Sequence, residues 1–113
     1  FTPTINKTYG FQLLFFFDSS AVANFKLKMT LPTGATGDWV NGNWTGGGSA
    51  APVDVTAGQS RSGIGAVATS ALYGRIIMAG NAGDVVIQWA QNTAEISNTK
   101  MLQGSFLVVW EEV

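Results

Sequence analysis

Apolar and polar residues alternate along most of the chain with a period of two, the repeat of a pleated strand. The clearest case runs from Phe25 to Leu31. Phe25, Leu27, Met29 and Leu31 alternate with Lys26, Lys28 and Thr30, predicting a half-buried strand whose lysines face solvent. Three other stretches are apolar on both phases. In Lys7–Phe17, Phe11, Leu13, Phe15 and Phe17 interleave with Gln12, Leu14 and Phe16. In Asp84–Asn92, Val85, Ile87 and Trp89 interleave with Val86, Gln88 and Ala90. In Gly104–Trp110, Phe106, Val108 and Trp110 interleave with Leu107 and Val109. β-branched and aromatic residues without Pro mark all three as strands. A single small domain has one core, so strands apolar on both faces imply a second buried surface, most simply a contact between subunits.

Between these runs the chain is punctuated by turn chemistry: Asp18-Ser-Ser20, Pro32-Thr-Gly-Ala35 and Gly80-Asn-Ala-Gly83. Asn41-Gly42 predicts a tight hairpin joining Trp39-Val40 to Asn43-Trp44-Thr45, followed by a Gly-rich loop tip. Val53 and Val55 begin a short strand, and Ala57–Gly63 is loop. Ile64–Ser70 and Ala71–Met78 read as two further strands, and Gln91–Gln103 as a strand-loop-strand edge. No 3.6-residue apolar period is sustained. Pro3 disfavours a central strand in the lead-in. Roughly eight short strands at turn intervals predict a single all-β domain over residues 1–113, an antiparallel β-sandwich.

Part of this sequence resembles a known group. Val86-Ile-Gln-Trp-Ala-Gln-Asn92, a polar interval, then Gly104-Ser-Phe-Leu-Val-Val109 resembles the end of a domain found in bacteriophage virion proteins of tail-fibre, head-fibre and capsid-surface type. Asn6-Lys-Thr-Tyr-Gly-Phe-Gln-Leu-Leu-Phe-Phe-Phe-Asp18 is similar to the same pattern, as is Asn24-Phe-Lys-Leu-Lys-Met-Thr-Leu-Pro-Thr-Gly-Ala35 followed by Trp39. Asn24 stands where members of that group usually carry Asp, so no carboxylate role is carried over. More distantly the arrangement resembles the jelly-roll heads of the tumour-necrosis-factor and complement superfamily. The resemblance implies a jelly-roll-like homotrimer at a virion surface, with capsid or tail proteins as further partners and a host-surface glycan as a candidate ligand.

Composition narrows the chemistry. The chain has 113 residues, enough to bury roughly 65% of its unfolded surface around one core. It has no Cys and no His, which removes disulfides, thiolate metal sites and the commonest catalytic base. Charged residues are 12% of the chain and the net charge is −1, so no electrostatic footprint for nucleic acid or an anionic membrane is expected. A mean hydropathy of +0.20 fits a chain that covers apolar surface by oligomerising. No apolar run is long enough to span a bilayer as a helix. Lys7 and Tyr9 interrupt the start, and no basic head precedes it, so it does not read as a secretory leader.

Catalytic patterns are weak. Gly58-Gln-Ser-Arg-Ser-Gly63 lacks nucleophile-elbow spacing, and Gly63-Ile-Gly-Ala-Val-Ala68 lacks the helix a dinucleotide fingerprint needs. Glu111 and Glu112 point to opposite faces of a strand, and the remaining acids are scattered over turns without calcium-loop spacing. The expectation is a non-enzymatic protein without cofactor or metal. The candidate interface residues are Leu14, Phe16, Val86 and Val109, each on the second apolar phase of its strand. Trp39 and Trp44, in a Gly- and Asn-rich stretch, are candidates for stacking on sugar rings, as in a monomeric carbohydrate-binding module of a secreted protein. The competing expectation is that they plug one end of the sandwich.

Overall fold

The longest apolar run becomes the central strand, β1 (Thr8–Asp18). The computed structural model describes residues 1–42 and 51–113, and these contain eight further strands: β2 (Phe25–Thr30), β3 (Thr36–Asn41), β4 (Val53–Asp54), β5 (Gln59–Arg61), β6 (Val67–Ile77), β7 (Val86–Gln91), β8 (Lys100–Met101) and β9 (Phe106–Glu111). All pairings are antiparallel. A larger sheet runs β4-β3-β6-β1, with β8 and β9 sharing the far edge of β1, and a smaller sheet runs β5-β2-β7. First pairs with last: β1 with β9, β2 with β7, β3 with β6. Such nesting describes one long hairpin folded over on itself into a two-sheet sandwich, the all-β, jelly-roll-like form expected.

Parity along β1 decides which side is core. Its odd residues Phe11, Leu13, Phe15 and Phe17 are 3% exposed or less, while its even residues Gln12, Leu14 and Phe16 are half-buried on the opposite face. From the smaller sheet Phe25, Leu27 and Met29 face the odd set. Their rings interlock: Phe25 lies 5.4 Å from Phe15, 5.0 Å from Phe17 and 5.6 Å from Trp89, centroid to centroid. Each fully buried Phe contributes about 2–3 kcal/mol over exposure, so this face outweighs the alternative that would bury Gln12. Lys26 and Lys28 point to solvent, as their alternation requires.

Two expectations need correction, and one falls out of view. Residues 64–78 do not form two strands. Ser70 and Ala71 carry no turn signal, and one eleven-residue strand, β6, runs through them with Ser70, Leu72, Gly74 and Ile76 inward. Gln59–Arg61, read as loop, forms strand β5 against Phe25–Leu27. The second arm of the Asn41-Gly42 hairpin and the Gly-rich tip fall at 43–50, outside the described residues.

Two asparagines adopt left-handed backbone, Asn6 (φ 58°) and Asn24 (φ 54°), a conformation Asn tolerates better than most residues. The Asn24 side-chain carbonyl accepts a hydrogen bond from the Gly63 N–H (2.9 Å), tying the β1–β2 turn to the chain leaving β5. An Asp would accept the same bond, so the Asn at this position costs the fold nothing there.

Candidate functional surface

The smaller sheet covers only the inner face of the larger one. No strand among the described residues packs on the outer face of the larger sheet, and the register assigns its residues row by row. Trp110 (β9), Gly10 (β1), Arg75 (β6) and Asp38 (β3) share one row. Val108, Gln12, Tyr73 and Val40 form the next, and Phe106, Leu14 and Ala71 the one after. Phe16 with Thr69, then Asp18 with Val67, complete the face on β1 and β6. Among these, Phe106, Val108, Trp110, Tyr73 and Val67 are 42–58% exposed, as is Ile77 at the other end of β6.

Local chemistry makes the face smooth. Gly10 has no side chain, and the Trp110 indole lies over it so closely that any Cβ there would collide with the ring. The Gln12 amide donates to the Tyr73 hydroxyl (3.2 Å), so this polar pair is satisfied within the face. The two central rows carry no charge. The charges sit outside them: Arg75 pairs with Asp38 (3.2 Å), Asp54 is on edge strand β4, and Asp18 lies opposite Lys100. Phe106, Val108, Trp110 and Tyr73 thus form an exposed apolar cluster in adjacent rows, the kind of patch that marks a contact surface.

Of the residues nominated from sequence, Leu14 and Phe16 lie on this face. Val109 does not. It pairs with Phe11 and turns inward against the core, so the outward residues of β9 are Phe106, Val108 and Trp110. Val86 is 45% exposed but belongs to the outer face of the smaller sheet, opposite Thr30, and cannot share one contact with Leu14 and Phe16. Trp39 is corrected outright as a sugar-stacking residue. It is 1% exposed, its ring is edge-on to Phe11 at 6.5 Å, and Gly74 lies opposite it in the β3–β6 register. A buried indole offers no face to a ligand, which leaves the packing expectation for this residue. Trp44 lies outside the described residues. Trp89, expected in core or interface, projects from the core face of β7 and stacks on Phe25, yet stays 43% exposed because β7 is a sheet edge.

The outer face of the smaller sheet is chemically different. Lys26, Lys28, Ser60, Gln88 and Asn92 line an open trough of about 660 Å³ there, with Ala57, Gly58, Ala90 and parts of Leu27, Gln59 and Trp89. Thr30 donates to the Gln88 carbonyl oxygen (2.9 Å), leaving the Gln88 NH₂ group free to donate outward.

Titration elsewhere is set by local hydrogen bonds. The Ser20 and Ser97 hydroxyls hold the Glu95 carboxyl below the usual carboxylate range, and Thr56 does the same for Asp54 through its hydroxyl and backbone N–H. The Glu111 carboxylate, 2.8 Å from the Lys7 ammonium, raises the lysine. Burial lowers Arg61, whose guanidinium donates to Ser70 between the sheets. Among the described residues, no three acidic groups come together as a metal-binding cluster, and no helix is long and apolar enough to cross a membrane. Comparison of the chain with protein-family models, with curated proteins and with solved structures found no match.

Proposed function

We propose that this chain is a non-enzymatic structural protein of a bacteriophage virion surface, a homotrimeric module that decorates the capsid or forms the head of a fibre. The observation that carries the assembly part is the outer face of the larger sheet. Aromatic and β-branched side chains in adjacent rows, uncharged at the centre, are what a subunit contact requires and what an isolated small domain avoids. The occupant is further copies of the same chain. A standard interface buries about 800 Å² on each partner, and its buried core is apolar with charges at the rim, the pattern this face carries. A neutral centre also presents no charge for an unlike partner to match. The choice of three copies, and of a virion, rests on the resemblance of the strand motifs to phage fibre and capsid-surface domains.

In this reading the large sheets face one another around the three-fold axis, and the small sheets and loops face outward. Decoration would strengthen a particle by clamping neighbouring capsid subunits, and a fibre head would present the loops to a host. The test is location. Antibody raised against the purified chain should label the surface of intact virions in electron micrographs of phage that encode it. Label confined to the lysate, with none on purified particles, would overturn the reading.

A further inference from the structure

We infer that the trough on the outer face of the smaller sheet binds an acidic saccharide through its carboxylate. The charge distribution is the first argument. The three strands of this sheet contain Lys26, Lys28 and Arg61 and no Asp or Glu, so they carry +3. The whole chain carries −1, which leaves −4 on everything else. Arg61 is turned inward to Ser70, and the two lysines project outward from alternate positions of β2. Such positions are about 7 Å apart along a strand, close enough for both ammonium groups to reach one carboxylate.

The lining is the second argument. Around the lysines stand Ser60, Gln88 and Asn92, amides and a hydroxyl that can donate to and accept from sugar hydroxyls, and no acid lines the trough. Its 660 Å³ lies within the range of small-ligand sites. Neither lysine has an ion-pair partner among the described residues. The ligand class follows: an anion to bridge the lysines, attached to a hydroxyl-rich body. This inference rests on the proposed function only for the direction the trough faces, outward in the trimer and away from the assembly face.

The experiment is calorimetric titration of the whole chain with trigalacturonic acid, its methyl ester, inorganic phosphate and anionic phospholipid vesicles. Saturable binding of the acid is expected, weakening as salt rises. The uncharged ester should bind at least about tenfold more weakly, and Lys28→Gln and Lys26→Gln should each weaken the acid about tenfold, the scale of one charge-assisted contact. Lys7→Gln, remote from the trough, should leave the affinity unchanged. No saturable binding, equal binding of the ester, indifference to both trough substitutions, or tighter binding of phosphate or vesicles would each overturn the inference. Binding is read whatever the mass of the particle, so its failure leaves the trimer standing, and a monomeric mass leaves the binding site standing.

Discussion

Replacing Trp39 with Ala separates packing from ligand binding in one experiment. The side chain is 1% exposed and packs edge-on against Phe11 in the core. Removing a buried Trp forfeits its transfer free energy and leaves a cavity that the rigid centre of a β-sheet collapses only in part, a loss of about 3–5 kcal/mol. For a domain near 100 residues each kcal/mol moves Tm by roughly 4 °C, so a fall of about 12–20 °C is expected. Trp39→Phe should behave differently. The Trp39 Nε1–H is buried and has no hydrogen-bond partner among the described residues. Phe deletes that unpaired donor, and the relief offsets most of the lost volume, for a net change of about 1 kcal/mol or less. Thermal unfolding by circular dichroism is the assay. An Ala variant that melts within 3 °C of the parent would refute the core assignment and return Trp39 to the surface.

On the assembly face, Val108→Asp removes about 70 Å² of apolar contact, worth about 2 kcal/mol, and buries an unpaired carboxylate costing several more. Light scattering should therefore show monomer or aggregate while a soluble monomer keeps the parental fold, and Phe16→Asp should do the same; an unchanged oligomer in both would exclude this face. Gly74→Ala should cost about 1–3 kcal/mol in denaturant unfolding, because its Cβ would collide with the Asp38 carbonyl and lie 2.6 Å from the Phe11 ring; an unchanged midpoint would contradict this close approach. Stability should be flat from about pH 6 to 8 and indifferent to EDTA and reductant, because Asp54 and Glu95 are moved further below neutrality, Lys7 further above it, and Arg61, though lowered by burial, starts far above that range. Glu95 and Asp54 have lowered folded values, so their stabilisation is complete above about pH 4–5 and is lost as pH falls through those values; the raised Lys7 loses its contribution only above about pH 10. A Tm that drops by several degrees on chelation would point instead to a calcium site among the turn acids.

Strand positions were legible because alternation and turn residues are local signals. Phe25–Thr30 and the two-faced character of β1 and β9 follow from period two alone. Which face of a two-faced strand turns inward is not local. In β1, Gln12 among the even residues tips the balance toward Phe11, Leu13, Phe15 and Phe17. In β9 the bulkier set, Phe106, Val108 and Trp110, is the one left outside, because register against β1 sets Val109 beside Phe11 and Trp110 beside Gly10. Alternation alone, which named Val109 as lying on the second apolar phase, therefore could not tell that this phase is the inward one. A usable signal was present in Gly10: a glycine inside an apolar strand marks close approach of a neighbouring group, here the Trp110 ring. The burial of Trp39 depends on packing against Phe11, 28 positions away, and the trough is assembled from three strands and the loops beside them. Neither is written in any one stretch.

The central claim is that the outer face of the larger sheet is covered by copies of this chain. Its most direct test is the mass of the purified chain in solution, by light scattering across a hundredfold dilution near physiological salt. The account predicts a particle of three times the 11.9 kDa chain mass that persists on dilution. A monodisperse 11.9 kDa monomer at the highest concentration, with Phe106, Val108 and Trp110 in water, would contradict it.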